Sequence, residues 1–196
     1  MQTTLPAFNS VRIFFLALTL LIVLPSSANN TQSESEQERN TVDESYIPAK
    51  APRFEDSPAP LYQGRHAKLR LGKDDAFFKT RLHLAAQQEI NFAGHYIVGL
   101  WGCGYSCVIV RIIDVKTGKI LPTQGLGSVA FQQVADSMLD ASPHWPNEGP
   151  VKFKADSHLL VLLGAPEEDE KRQGINYYRL QGQRLQLIKH VRWPRP

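Results

Sequence analysis

Both cysteines of the chain, Cys103 and Cys107, stand four positions apart, and a strand-like run abuts each of them. Upstream, residues 95–101 (HYIVGLW) alternate, placing Tyr96, Val98 and Leu100 on one face. Downstream, residues 108–113 (VIVRII) are nearly continuous in apolar and β-branched side chains, as in a central strand. A bridge between the two sulfurs would lock a tight turn between two strands, and Gly102 and Gly104 give the backbone freedom to bend around it. That local arrangement commits the region to antiparallel β-structure.

The rest of the chain repeats the theme. Asp114-Val115-Lys116-Thr117-Gly118-Lys119 reads as a turn, pairing residues 108–113 with a short strand at 119–122. Residues 151–154 alternate, 155–157 turn, and 158–163 form a buried strand; 175–180 and 185–191 pair around Gln181-Gly182-Gln183. The one helix falls at residues 74–88. Asp74 caps it, Asp75 faces the positive end of the dipole, and Phe77, Phe78, Leu82, Ala85 and Ile90 form its apolar stripe. His83 lies beside that stripe, at an edge. Residues 123–150 are the least legible, a surface excursion that is irregular or briefly helical near Val134, Met138 and Leu139, with a strand at 129–134 as the other reading. The run from Glu167 to Arg172 reads as a solvated charged loop tip. The expected fold is mainly β (α+β): an antiparallel meander or small sandwich of six or seven blade-like strands with one N-terminal helix. D-x-x-T-G-K at 114–119 and F-x-x-D-S-x-x-L at 153–160 are turn patterns of propeller blades. A propeller needs at least four blades of about 40–50 residues, which this chain cannot supply.

The N-terminus has its own organisation. Arg12 precedes the apolar run at residues 13–24, Pro25 ends it, and Ser26-Ser27-Ala28 offers small residues for cleavage after Ala28. Twelve apolar residues fall short of the roughly 20 needed to span a bilayer, so residues 1–28 are expected to be a signal peptide. Residues 29–60 follow as a disordered acidic and proline-rich leader. Glu34, Glu36, Glu38, Asp43 and Glu44 face only Arg39, and Pro48, Pro52, Pro58 and Pro60 come next. Residues 61–196 remain as a single β-rich globular domain. Apart from Arg12, Arg39 and those five acids, twenty Lys and Arg stand against fourteen Asp and Glu, without a basic cluster longer than two. That distribution points away from nucleic acid and suits mild attraction to an anionic envelope surface.

Three chemistries compete with a structural disulfide at Cys103 and Cys107. In an oxidising compartment a pair this close is expected to be bridged, contributing about 2 kcal/mol through loop-closure entropy. Redox activity favours C-x-x-C at a helix start, against C-x-x-x-C before a strand here. Metal binding would join both cysteines to His95, which resembles the copper site of Sco-type chaperones, although the β-rich pattern is not their thioredoxin fold and the chain has two Met. A Cys107 nucleophile is the third. Ser106-Cys107-Val108 with Arg111 resembles the S-x-G-C-[VI]-R motif of L,D-transpeptidases, without its glycine and with the arginine four residues on instead of two, and His95 would be the base. More broadly, F-A-G-H-Y at 92–96, W-G-C-G-x-x-C at 101–107 and D-x-x-T-G-K at 114–119, with a looser match at 153–162, resemble a group of small exported bacterial proteins to which no activity is attached. The resemblance implies export and the disulfide, and nothing on mechanism.

His95, Tyr96, Trp101 and Tyr105 surround the bridge in sequence and are the candidate recognition surface for a peptide, glycan or protein. Strand alternation already sets Tyr96 and Trp101 on opposite faces. No catalytic residue, metal ligand or cofactor is assigned: G-x-S-x-G and H-E-x-x-H are absent, and Gly125-Leu126-Gly127 lacks the context of a phosphate loop. The expectation is an exported, periplasmic or secreted, non-enzymatic domain. It would bind an unknown protein, peptide or glycan of the envelope, without nucleic acid and without stable membrane insertion after signal removal. The alternative is a cysteine- or metal-dependent envelope enzyme, L,D-transpeptidase-like or copper-handling.

Overall fold

The computed structural model describes residues 41–123 and 125–193; the expected signal peptide and residues 29–40 of the expected leader lie outside the described residues. Seven antiparallel strands form the frame: β1 (Tyr96–Gly104), β2 (Cys107–Asp114), β3 (Ser128–Ala130), β4 (Val151–Phe153), β5 (Leu159–Pro166), β6 (Gly174–Gln181) and β7 (Arg184–Arg192). The path runs β1-β2-β3-β5-β6-β7, with β4 also paired to β5. β5 joins the two halves. β4 pairs along Leu160, Val161 and Leu162, and β3 takes over at Ala165 and Pro166. Between them lies Gly164 at φ +123°, where a Cβ would stand 2.1 Å from the Ala130 carbonyl oxygen, so only glycine fits the handover.

Every residue of β5 is buried because both of its faces are covered. Leu160 and Leu162 pack with Tyr96, Val98, Val110 and Ile112 between the β1–β2 half and the β4–β7 half, which makes the sandwich. Leu159, Val161 and Leu163 point the other way, to Phe54, Met138 and Trp145. The outer face of the β1–β2 half carries Ile97 and Ile113 and is closed by Leu82 and Ala85 of α1 (Lys79–Ala85). The expected mainly-β fold with one N-terminal helical element is what forms.

Several local expectations change. The helix is split: residues Lys73–Phe78 are 3₁₀ and only Lys79–Ala85 is α. Asp75, not Asp74, organises the start, its Oδ2 accepting from the Gly72 N–H at 2.7 Å. Three residues per turn instead of 3.6 rotates the stripe, so Phe78 packs inward and Phe77 is left 89% exposed. The hairpin expected between residues 108–113 and 119–122 shrinks to one bridge, Ile113–Ile120, because β2 spends its other edge on β1 and shares the remaining one with β3.

The disordered leader expected up to residue 60 ends earlier, since residues 41–60 are packed onto the β4–β7 half. Val42 and Phe54 are buried in the cluster that covers β5. The backbone is tied at both ends: Val42 N–H donates to Gln133 O at 2.9 Å, and Ala59 N–H to Asp156 O at 2.7 Å. The segment has few apolar residues, but the open outer face of β5 and β6 seats Val42, Tyr46, Ile47, Ala51 and Phe54. Nor are residues 123–150 a surface excursion. Val129 and Met138 are fully buried, β3 lies within the sheet, and α2 (Asp136–Leu139) closes the outer face. The charged run after β5 is exposed at Glu167, Glu168, Glu170 and Lys171, as a loop tip should be, but its ends are also tied: Glu167 accepts from the Gly127 N–H, and Arg172 donates to Gly125 O and to the Tyr178 hydroxyl.

Candidate functional site

The hairpin of β1 and β2 is built from an unbroken ladder, Tyr96 opposite Asp114 through Gly102 opposite Val108, then a slip at Cys103 before Gly104 meets Cys107. Cys103 and Cys107 form a disulfide across this slip, with their Cα atoms 5.2 Å apart. Gly104 at φ +142° and Ser106 at φ +49° turn the chain beyond it. The Ser106 carbonyl accepts from Phe131 N–H at 2.9 Å, tying the turn to the end of β3. Tyr105, at the apex, is 91% exposed. Both sulfurs are committed to the bridge, so nucleophilic or copper chemistry at either cysteine would require its reduction first. Among the described residues no group of three His, Cys, Asp or Glu converges as a metal site would need.

Only part of the expected recognition surface assembles. Tyr96 is 3% exposed and is a core residue between the halves of the sandwich, its hydroxyl donating to Gly182 O at 3.4 Å. His95 sits beside it at the far end of the hairpin from Tyr105, with its ring 4.1 Å from the Tyr96 ring and Nε2 4.0 Å from Asp114 Oδ1. Burial holds the His95 imidazole below its ordinary pKa; Lys116 acts in the same direction and Asp114 against it. Trp101 is half-buried on the opposite sheet face.

Trp101 belongs to a row of rings that sequence reasoning missed. Its ring lies 5.4 Å from Phe78, which meets Phe77 edge-on at 5.0 Å. The Arg111 guanidinium stacks over Phe78 at 5.0 Å and is held by Gly127 O at 3.1 Å. The available signal was the adjacency of Phe77 and Phe78: two neighbouring helical residues cannot both face the same groove. Phe77 and the Tyr105 apex, with half-buried Trp101, are therefore the accessible aromatic elements of the stapled hairpin and its neighbour.

The two other motifs resolve into architecture. In D-x-x-T-G-K, Asp114 is buried and its carboxylate accepts from Lys116 N–H at 2.9 Å and the Thr117 hydroxyl at 2.8 Å. Gly118, at φ +72°, backs onto Lys68 O, which a Cβ would approach to 2.0 Å. In F-A-G-H-Y, Gly94 N–H donates to Ala155 O at 2.7 Å, and its carbonyl accepts from Tyr62 N–H at 2.8 Å. Both motifs fix crossings of the chain.

A concavity of about 780 Å³ opens between residues 47–55 and 142–146, away from the hairpin apex. Trp145 and Tyr177 line it, but Trp145 Nε1 and the Tyr177 hydroxyl are sealed by packing and have no hydrogen-bond partner. Burial pushes the Tyr177 phenol up to about 12. No family model matches the chain, and no curated protein or solved structure matches it.

Proposed function

We propose that this is an exported recognition domain of the cell envelope, which binds a protein, peptide or glycan with the disulfide-stapled β1–β2 hairpin and is not a catalyst. The observation that carries the reading is the apex. A covalent bridge fixes a tight turn that lifts Tyr105 almost wholly into solvent, where a side chain with no partner of its own gains nothing for folding. Aromatic side chains on a rigid support lose little conformational entropy on binding and are the usual anchors of interfaces. Trp101, half-buried against Phe78, extends the apolar area beside the hairpin. Export is supported by the charge, apolar run and small-residue site of residues 1–28, and by a bridge suited to an oxidising compartment.

Site-specific photo-crosslinking in cells tests the proposal. A photoreactive phenylalanine analogue at position 105 should give a discrete adduct, and the same probe at Gln183, in the turn near Tyr96, should not. Equal labelling from both positions, or none from 105, overturns it.

A further inference from the structure

We infer that the outer face of residues 65–84 is a docking surface for an anionic lipid bilayer. This extends the recognition reading by giving the exported domain a surface to sit on, and it rests on that reading only for the compartment. The segment is clamped across the β1–β2 half: Ala67 N–H donates to Val115 O and Arg70 N–H to Gly118 O, both at 2.7 Å, and α1 lies on β1. Its side chains sort by direction. Leu69, Leu71 and Phe78 turn inward, while Arg65, Lys68, Arg70, Lys73, Lys79 and Arg81 are all exposed.

Those six bases face two acids in the segment, Asp74 and Asp75, which leaves an excess of four positive charges. None of the six has a carboxylate within 4.0 Å; the ion pair between a Lys or Arg and an acid among the described residues is Lys154–Glu55, on another part of the fold. In the midst of this cationic face Phe77 is 89% exposed and Leu84 55%. The layer on the other side of the sandwich has the reverse sign. Residues 41–60 and 131–149 hold seven acids and two bases. Lys154, just after β4, and Lys189 of β7 also reach this layer, so its acidic excess is seven against four, which still favours turning the basic face toward an anionic surface.

Unpaired cations spread along an exposed segment suit an extended surface more than a compact ligand. Apolar side chains among the cations suit lipid, since they can enter the headgroup boundary while Lys and Arg meet the phosphates. No helix among the described residues is long and apolar enough to cross a membrane, so the contact is adsorption.

Co-sedimentation with lipid vesicles, using protein purified after export of the full chain, tests the inference. Binding to phosphatidylglycerol/phosphatidylcholine vesicles should be at least tenfold tighter than to pure phosphatidylcholine, and should weaken as salt rises. Lys73→Glu, Lys79→Glu and Arg81→Glu together should cost far more than tenfold, at about fivefold for each neutralised charge near the surface. The corresponding glutamine variant should show an intermediate loss, and Phe77→Ser several-fold at unchanged melting temperature. Equal binding to both vesicles, or binding untouched by the triple reversal, overturns the inference. Binding of duplex DNA as tight as that of anionic vesicles, and indifferent to Phe77→Ser, overturns it in favour of a general polyanion site. If vesicle binding fails while the adduct at position 105 persists, only this inference falls; if the adduct fails alone, only the hairpin reading falls.

Discussion

Gly99 of β1 lies directly under Ala85 of α1, so close that a Cβ on Gly99 would stand 2.8 Å from the Ala85 Cβ. The contact sets the distance between the helical layer and the hairpin, and through it the seat of Phe78 on Trp101. Gly99→Val must push α1 away or bend β1. Overpacking of this kind costs about 1–3 kcal/mol, and chemical denaturation should show a loss in that range. Because the glycine is extended at this position, the cause is steric and not conformational. Pairing Gly99→Ala with Ala85→Gly should therefore recover part of what Gly99→Ala alone loses.

The disulfide closes a small loop, so its removal should be survivable. Cys103→Ser with Cys107→Ser should lower stability by about 2 kcal/mol and leave the β-sheet signal in far-ultraviolet circular dichroism intact. The ladder from Tyr96 to Gly102 does not depend on the bridge. Crosslinking from position 105 should fall more than stability does, because the staple orders the apex. A thiol titration of the exported wild-type protein should find no free thiol, as both sulfurs are in the bridge.

What was legible in the sequence follows from the range of the interactions involved. Strands β1, β2, β5, β6 and β7 could be read because their alternation or β-branched runs are local. Cys103 and Cys107 carried their own pairing, being four residues apart. Residues 41–60 could not be read. Val42 and Phe54 are isolated apolar residues among prolines and charges, and only the uncovered outer face of β5, more than a hundred residues later, makes them core. The short helical stretch expected near Val134, Met138 and Leu139 does form, as α2, but nothing local shows that Met138 and Trp145 are core of the same face. Trp101 was placed correctly on the face opposite Tyr96, but its partner Phe78 depends on where a 3₁₀ turn gives way to α1, a boundary that periodicity does not set.

Lys152 is the other residue whose role depends on distant sequence. It is fully buried, and its ammonium donates to the carbonyls of Leu139, Asp140 and Asn147 at 3.0, 3.2 and 2.7 Å. Burial pulls its pKa down to about 8, opposed by Asp140 and Glu148, so at neutral pH the amine keeps its proton and caps all three carbonyls. Lys152→Met would preserve the apolar stem but strand three acceptors. A loss of about 3 kcal/mol is expected, with protease cleavage appearing first near residues 139–147. A neutral effect on urea unfolding would show that these carbonyls find other donors, water included.

Two histidines make folding stability sensitive to mild acid. His95 and His190 both have pKa values held below the usual 6.5, first by burial, and then by Lys116 at His95 and by Arg192 and Arg172 at His190. His190 Nδ1 is 2.9 Å from Asn176 Oδ1, while Nε2 is buried with no partner, so protonation would add a donor with nothing to receive it. The unfolded chain therefore takes up these protons first on acidification. Stability is fully present above pH 6.5 and declines as pH falls below it. Asp43 and Glu55 have lowered pKa values from ordinary values of 3.8 and 4.5, and they act only at more acidic pH. Urea midpoints should accordingly drop between pH 7.5 and 5. His190→Asn places an amide donor where Nδ1 meets Asn176 and removes the titration, and it should flatten part of that slope. An unchanged slope in this variant would assign the effect to His95 instead.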